Sequence, residues 1–227
     1  MIISGLLKTT LLDYPSHVAA TVFLGGCNLR CPFCHNSSML ENPISEYTQE
    51  ELFSFLKKRQ GILDGICISG GEPTLNSNLP EFIKEIKSLG YLIKLDTNGT
   101  NPNMLENLIE NHLLDYVAMD VKSSLEEYEK CCGCSVDLSA ISRSISILQE
   151  GRIPYEFRTT IVNELHTAAS IKSMGRLLQG AEQLFLQSFV SSEGVSVKNL
   201  HAPSSDCMKK YKEILQHYIS NVFIRGI

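Results

Sequence analysis

Cys27, Cys31 and Cys34 stand at C-x3-C-x2-C spacing in Gly25-Gly26-Cys27-Asn28-Leu29-Arg30-Cys31-Pro32-Phe33-Cys34-His35-Asn36, with no fourth cysteine close behind. A cubane iron–sulfur cluster normally takes four thiolates, so three leave one iron open to a ligand that is not protein. The vacancy points to catalysis, because a plain electron carrier would have its cluster fully ligated. A zinc site with His35 as fourth ligand is the competing reading, although structural zinc ligands normally come as separated pairs and Cys34 and His35 are neighbours. A second thiol-rich stretch, Cys131-Cys132-Gly133-Cys134, is a candidate for an auxiliary cluster completed by Cys67 or Cys207. Against it, vicinal cysteines chelate one ion poorly, and Cys67 reads as a small buried hydrophobe in a strand-like run.

Other polar groups recur at regular intervals. Gly70-Gly71-Glu72 combines glycines that let backbone approach a ligand with a carboxylate able to accept from an ammonium group; the plain alternative is a turn before Pro73. Asp96-Thr97-Asn98-Gly99, Asp120-Val121-Lys122, Arg158 and Gln187 follow. An acid and a base at i and i+2 can simply be solvated, and Arg158 has Glu156 and Asp120 as candidate partners.

The elements that must position these groups alternate. His17 to Leu24 is a near-continuous apolar run, suited to a strand buried on both faces. Further strands are expected over Ile62 to Ile68, Tyr91 to Leu95, Asp115 to Val121, Ile153 to Val162 and Leu184 to Phe189. Between them lie helical patterns, one opened by the capping box Thr48 and Glu51 and one by Asn101 with Pro102 at its first position. Asn42 to Tyr47 and Ser191 to Ser205 read as loops, Ser123 to Asp137 as irregular, and a last helix carries Met208, Tyr211, Leu215 and Tyr218. Six strand–helix units predict an α/β fold, a partial (β/α)6 barrel with parallel strands, in one domain over residues 1–227. Active sites of such folds lie at the carboxyl ends of the strands, where every polar group named above falls.

Composition narrows the class. With 20 Lys+Arg against 25 Asp+Glu, a net charge of -5 recommends no nucleic acid as main partner. The N-terminal residues lack signal-peptide character, and no apolar run is long enough to cross a bilayer, so a cytoplasmic protein without membrane contact is expected. There, eight cysteines are metal ligands, reactive thiols or buried hydrophobes rather than a disulfide framework.

Cys27, Cys31 and Cys34, with Phe33 before the last cysteine and His35-Asn36 after it, resemble the motif of the radical S-adenosylmethionine superfamily. The resemblance implies a 4Fe-4S cluster on the three thiolates and S-adenosylmethionine on the open iron. It implies cofactor contacts from Phe33, His35, Gly70, Gly71, Glu72, Asp120, Lys122, Arg158 and Gln187, and a monovalent cation held by Asp96, Thr97 and Asp120. Residues 5–15, Glu156-Phe157-Arg158-Thr159-Thr160 and Leu186-Gln187-x-Phe189 look closest to activating proteins of anaerobic ribonucleoside-triphosphate reductase, a branch similar to pyruvate formate-lyase activating enzymes. Those lyase activases carry a histidine near the sixth strand, where this chain has Gln187 or Phe189. The implied activity is reductive cleavage of S-adenosylmethionine to a 5'-deoxyadenosyl radical that takes hydrogen from a glycine of a partner enzyme, with flavodoxin or ferredoxin as electron donor. The alternatives are hydrogen abstraction from a small molecule or peptide, and a non-catalytic iron–sulfur or zinc protein.

Overall fold

The computed structural model describes residues 1–40, 43–192, 194–195 and 197–226. Its strands are β1 (Ile3–Thr10), β2 (Ala19–Leu24), β3 (Gly65–Gly70), β4 (Leu92–Thr97), β5 (Tyr116–Asp120), β6 (Tyr155–Ile161), β7 (Gln183–Ser188) and β8 (Asn221–Arg225). The helices are α1 (Gln49–Arg59), α2 (Leu79–Ser88), α3 (Pro102–Glu110), the short α4 (Tyr128–Cys132), α5 (Leu138–Gln149), α6 (Ala168–Leu177) and α7 (Ser205–Leu215). The strands form one sheet in chain order, with β1 antiparallel to β2 and every later pair parallel.

Local chemistry starts the helices where the sequence places them. Thr48 accepts from the Glu51 N–H while Glu51 accepts from the Thr48 N–H, so two orphan donors at the start of α1 are satisfied together. Asn101 accepts from the Met104 N–H ahead of Pro102 in α3.

The six expected parallel strands are β2 to β7, and the partial barrel is present. Two edges were not expected as strands. β1 pairs with β2 across register shifts near Gly5 and before Thr10. Its exposed middle, Leu7 to Thr9, hides the alternation that would mark a strand. β8 is five residues long and is defined by pairing with β7 rather than by its own pattern. The Ser123 to Asp137 segment is not wholly irregular, since it contains α4. Of the two expected loops, Asn42, Glu193 and Ser196 lie outside the described residues, and Ser205 already belongs to α7.

The sheet has two unlike faces. Val22, Leu24, Ile66, Ile68, Ile93, Leu95, Val117, Met119, Phe157, Leu184 and Leu186 are buried with helix residues such as Leu52, Leu56, Ile83, Leu108, Ile145 and Met174. The alternate positions are polar and touch one another along and across strands: Lys94 with Asp96 on its own strand and with Cys67, Tyr116 with Glu156 and Gln183, and Glu156 with Arg225. This inner face explains why the strands only approximate continuous apolar runs. The loop after β1 carries Tyr14, buried against Gly65 and 6.2 Å from the ring of Tyr116, toward the amino end of the parallel strands.

Candidate active site

The carboxyl ends of β2 and β3 are stitched together by backbone. Gly71 donates its N–H to the Leu24 carbonyl and Glu72 to the Gly26 carbonyl, each at 2.8 Å. The glycines are needed for this approach. A Cβ on Gly71 would lie 2.0 Å from the Gly26 carbonyl oxygen, and one on Gly70, whose φ is +118°, would lie 2.3 Å from the Leu24 oxygen. Asn36 ties the cysteine loop to the same turn by donating to the Gly70 carbonyl at 3.2 Å.

Above this junction lies a cavity of about 460 Å³ lined by Cys27, Cys31, Cys34, Phe33, His35, Gly70, Gly71, Asp96, Thr97, Asp120, Lys122, Arg158 and Gln187. Every residue that the resemblance assigned to the cluster, the cofactor or the cation is on its wall except Glu72, whereas the auxiliary-cluster candidates Cys67, Cys131, Cys132, Cys134 and Cys207 are not. That carboxylate is fully buried and accepts from the N–H and hydroxyl of Thr74, the Thr97 hydroxyl at 2.8 Å and the Asn98 N–H at 2.6 Å. Its side chain therefore braces the β3 turn against the end of β4 instead of facing the cavity. The wall also includes Asp13, Leu29, Asn36, Leu40, Ser69, Asn98 and Thr160. Asn36, Ser69 and Asn98 adjoin the named motifs, and Thr160 sits at a strand end. Nothing local signals Asp13, which accepts from Thr21 at 2.5 Å on the inner face of β2.

The floor of the cavity is an ionic ladder. Arg158 donates to Asp120 at 2.9 Å and to Asp96 at 3.2 Å, Lys122 reaches Asp120 at 3.1 Å, and Lys94 pairs with Asp96. Of the two partners considered for Arg158, Asp120 is the one bonded, while Glu156 pairs with Arg225 on β8. Burial opposes charge on Asp120, but Arg158 and then Lys122 overcome it and hold the carboxyl far below its ordinary range. Asp96 is lowered in the same way by Arg158 and Lys94. Burial also opposes the Lys122 charge, and Asp120 outweighs it, so the ammonium is held more firmly than usual.

The three motif thiols differ. Burial pushes Cys27 up to about 11 against the Leu29 N–H, which donates to its sulfur at 3.4 Å, and burial likewise raises Cys34. Cys31 is lowered, first by its interaction with the neighbouring Cys132 thiol and then, against burial, by Lys122 nearby. His35 turns to the segment after β7, its ring 6.0 Å from Phe189 and its Nδ1 3.1 Å from the Ser192 hydroxyl.

The Cys131-Cys132-Gly133-Cys134 turn packs behind the cysteine loop. Arg30 donates its N–H to the Cys132 carbonyl at 2.8 Å, and Gly133, at φ +68°, has room for no side chain, since a Cβ would lie 2.2 Å from the Arg30 oxygen. The thiols diverge: Cys131 lies 4.0 Å from His166 Nε2, Cys132 neighbours Cys31, and Cys134 donates to the Asn28 carbonyl at 3.5 Å. Among the described residues, no three His, Cys, Asp or Glu side chains converge as ligands of a single metal ion. Cys27, Cys31, Cys34 and His35 therefore form no such group in this structure. A cubane cluster makes no such demand, because its thiolates bind separate irons.

The residues fit a 4Fe-4S cluster with S-adenosylmethionine. Three soft donors share a cavity within the range of about 300–1,000 Å³ typical of small-ligand sites, two glycines bring backbone to its edge, and charged groups of both signs form its floor.

Comparison with known proteins agrees. The family model of the radical SAM superfamily matches residues 21–165. A Methanocaldococcus jannaschii protein assigned by its name to the glycyl-radical enzyme activating enzymes is 33% identical over 233 residues, covering 100% of this chain and 96% of its own. The pyruvate formate-lyase-activating enzyme of Clostridium pasteurianum is 32% identical over 130 residues, covering 53% of this chain and 52% of its own. Streptococcus suis SuiB, at 12% identity, superposes with a TM-score of 0.70 over 91% of this chain and 48% of its own, a likeness of fold. Among the described residues, no helix is long and apolar enough to cross a membrane. From the cysteine motif, the partial barrel and these matches together, the chain belongs to the radical SAM superfamily.

Proposed function

We propose that this radical SAM enzyme is an activase that installs a glycyl radical on a partner enzyme, with anaerobic ribonucleoside-triphosphate reductase as the partner. The observation that carries the reading is the 33% identity to the M. jannaschii protein along the whole chain. The N-terminal stretch and the Glu156 to Thr160 strand, which look closest to the reductase branch, direct it to that partner. Residues 1–227 act as one radical SAM domain in the cytoplasm, where thiols stay reduced, with flavodoxin or ferredoxin delivering the electron.

In this reading Cys27, Cys31 and Cys34 hold the cluster. When bound, the cluster and S-adenosylmethionine supply a 5'-deoxyadenosyl radical on one-electron reduction, with methionine as the other product. The chain's own residues bind and orient. The Gly70–Gly71 turn receives the methionyl ammonium group through backbone, and Glu72 keeps that turn in place from beneath. Lys122 and Arg158 offer charge to the methionyl carboxylate, and Phe33, His35, Asp120 and Gln187 bound the remainder. Near Asp96, Thr97 and Asp120 the charge balance calls for no monovalent cation, because Lys94, Lys122 and Arg158 already neutralise the two carboxylates.

Anaerobic reconstitution followed by reduction tests the chemistry, and mixing with the reductase tests the target. The expected results are 5'-deoxyadenosine in the first step and a glycyl-radical doublet in electron paramagnetic resonance in the second. Deoxyadenosine without a doublet on the reductase overturns the partner and directs the search to other glycyl-radical enzymes, peptides or small molecules. Absence of deoxyadenosine from cluster-loaded protein overturns the activity.

A further inference from the structure

Asn98 reaches the cluster loop with an unambiguous orientation. Its backbone is held by Glu72, and its side chain is almost fully buried. The amide oxygen accepts from the Thr100 N–H at 3.0 Å and from the Thr100 hydroxyl at 2.7 Å. A backbone N–H can only donate, so this end of the amide must be the oxygen and the NH₂ group must point the other way. There it donates to Asn28 Oδ1 at 3.0 Å and to the Cys27 sulfur at 3.8 Å. Asn28 closes the ring by donating to the Thr100 hydroxyl at 2.9 Å.

We propose that Asn98 is a positioning residue that acts through Cys27: its N–H···S bond to that ligand raises the reduction potential of the bound cluster. The inference rests on the assignment of Cys27 as a cluster ligand. An N–H aimed at a thiolate stabilises negative charge on sulfur, and the reduced cluster carries one more negative charge than the oxidised one, so the bond favours reduction. The ring through Thr100 and Asn28 holds the donor in place before any cluster binds. Glu72 gains a second duty from this, since it anchors the backbone from which the donor projects.

The test is a potentiometric titration of the reconstituted full chain, followed by electron paramagnetic resonance, with iron counted per chain. Asn98→Leu, which keeps the size and removes the donor, is expected to retain about four irons. At a given ambient potential its ratio of reduced to oxidised cluster is expected to fall about tenfold, which is about 59 mV for a one-electron couple. Thr100→Val keeps the backbone N–H, loosens the ring and is expected to shift the midpoint less, in the same direction. An Asn98→Leu protein with full iron and the parental midpoint overturns the proposal. If that variant holds no iron, Thr100→Val decides, and a parental midpoint there overturns it. A parent chain that holds no reducible four-iron cluster overturns both this inference and the cluster assignment.

Discussion

The chain has two thiol-rich turns, and they are opposite in design. Cys27, Cys31 and Cys34 all border one cavity, whereas Cys131, Cys132 and Cys134 address His166, Cys31 and the Asn28 carbonyl. The first leaves a β-strand in an open loop spaced so that three sulfurs face a common volume. The second ends a five-residue helix, where successive side chains point in different directions. Density of cysteine is therefore a poor guide to metal binding, and the direction of each thiol decides it. The second turn still matters to the first, because its backbone supports Arg30 and its middle thiol touches Cys31.

This contrast can be broken by substitution. The largest effect is expected from Cys31→Ala, with iron falling from about four per chain to near zero and 5'-deoxyadenosine lost with it. Gly133→Ala should come next. A left-handed backbone and a clash with the Arg30 carbonyl predict a loss of about 3 kcal/mol, read by anaerobic urea unfolding. Cys132→Ala removes a buried thiol and its contact to Cys31, for about 1–2 kcal/mol, with iron still near four. Cys134→Ser is expected to change stability by less than about 0.5 kcal/mol and iron content not at all. If either of the last two lowers iron by half, the second turn is a ligand-bearing element and the comparison fails.

The middle of the fold was legible because its signals are local. Thr48 with Glu51 and Asn101 with Pro102 start helices through bonds within a few residues, and the strands between them end in polar residues that reach one rim. The edges were not, because β1 and β8 owe their extended form to a neighbouring strand. Within the site, residue types at strand ends were enough to place Asp120, Lys122, Arg158 and Gln187 on the cavity wall. They were not enough for Glu72, whose side-chain direction follows from the neighbouring Thr97 and Asn98 on β4 and the turn after it. Asp13 was hidden for a different reason: it enters from the loop of an antiparallel edge, outside the rule about carboxyl ends.

The strand order has a consequence for how the protein is made. Because every strand pairs with its neighbour in sequence, no late strand has to insert between earlier ones. A chain leaving the ribosome can extend the wall one strand at a time. The ligand thiols emerge with the first strands, Arg158 well afterwards, and Gln187 and β8 last. Co-translational order thus brings out Cys27, Cys31 and Cys34 before most of the wall that later surrounds their cavity.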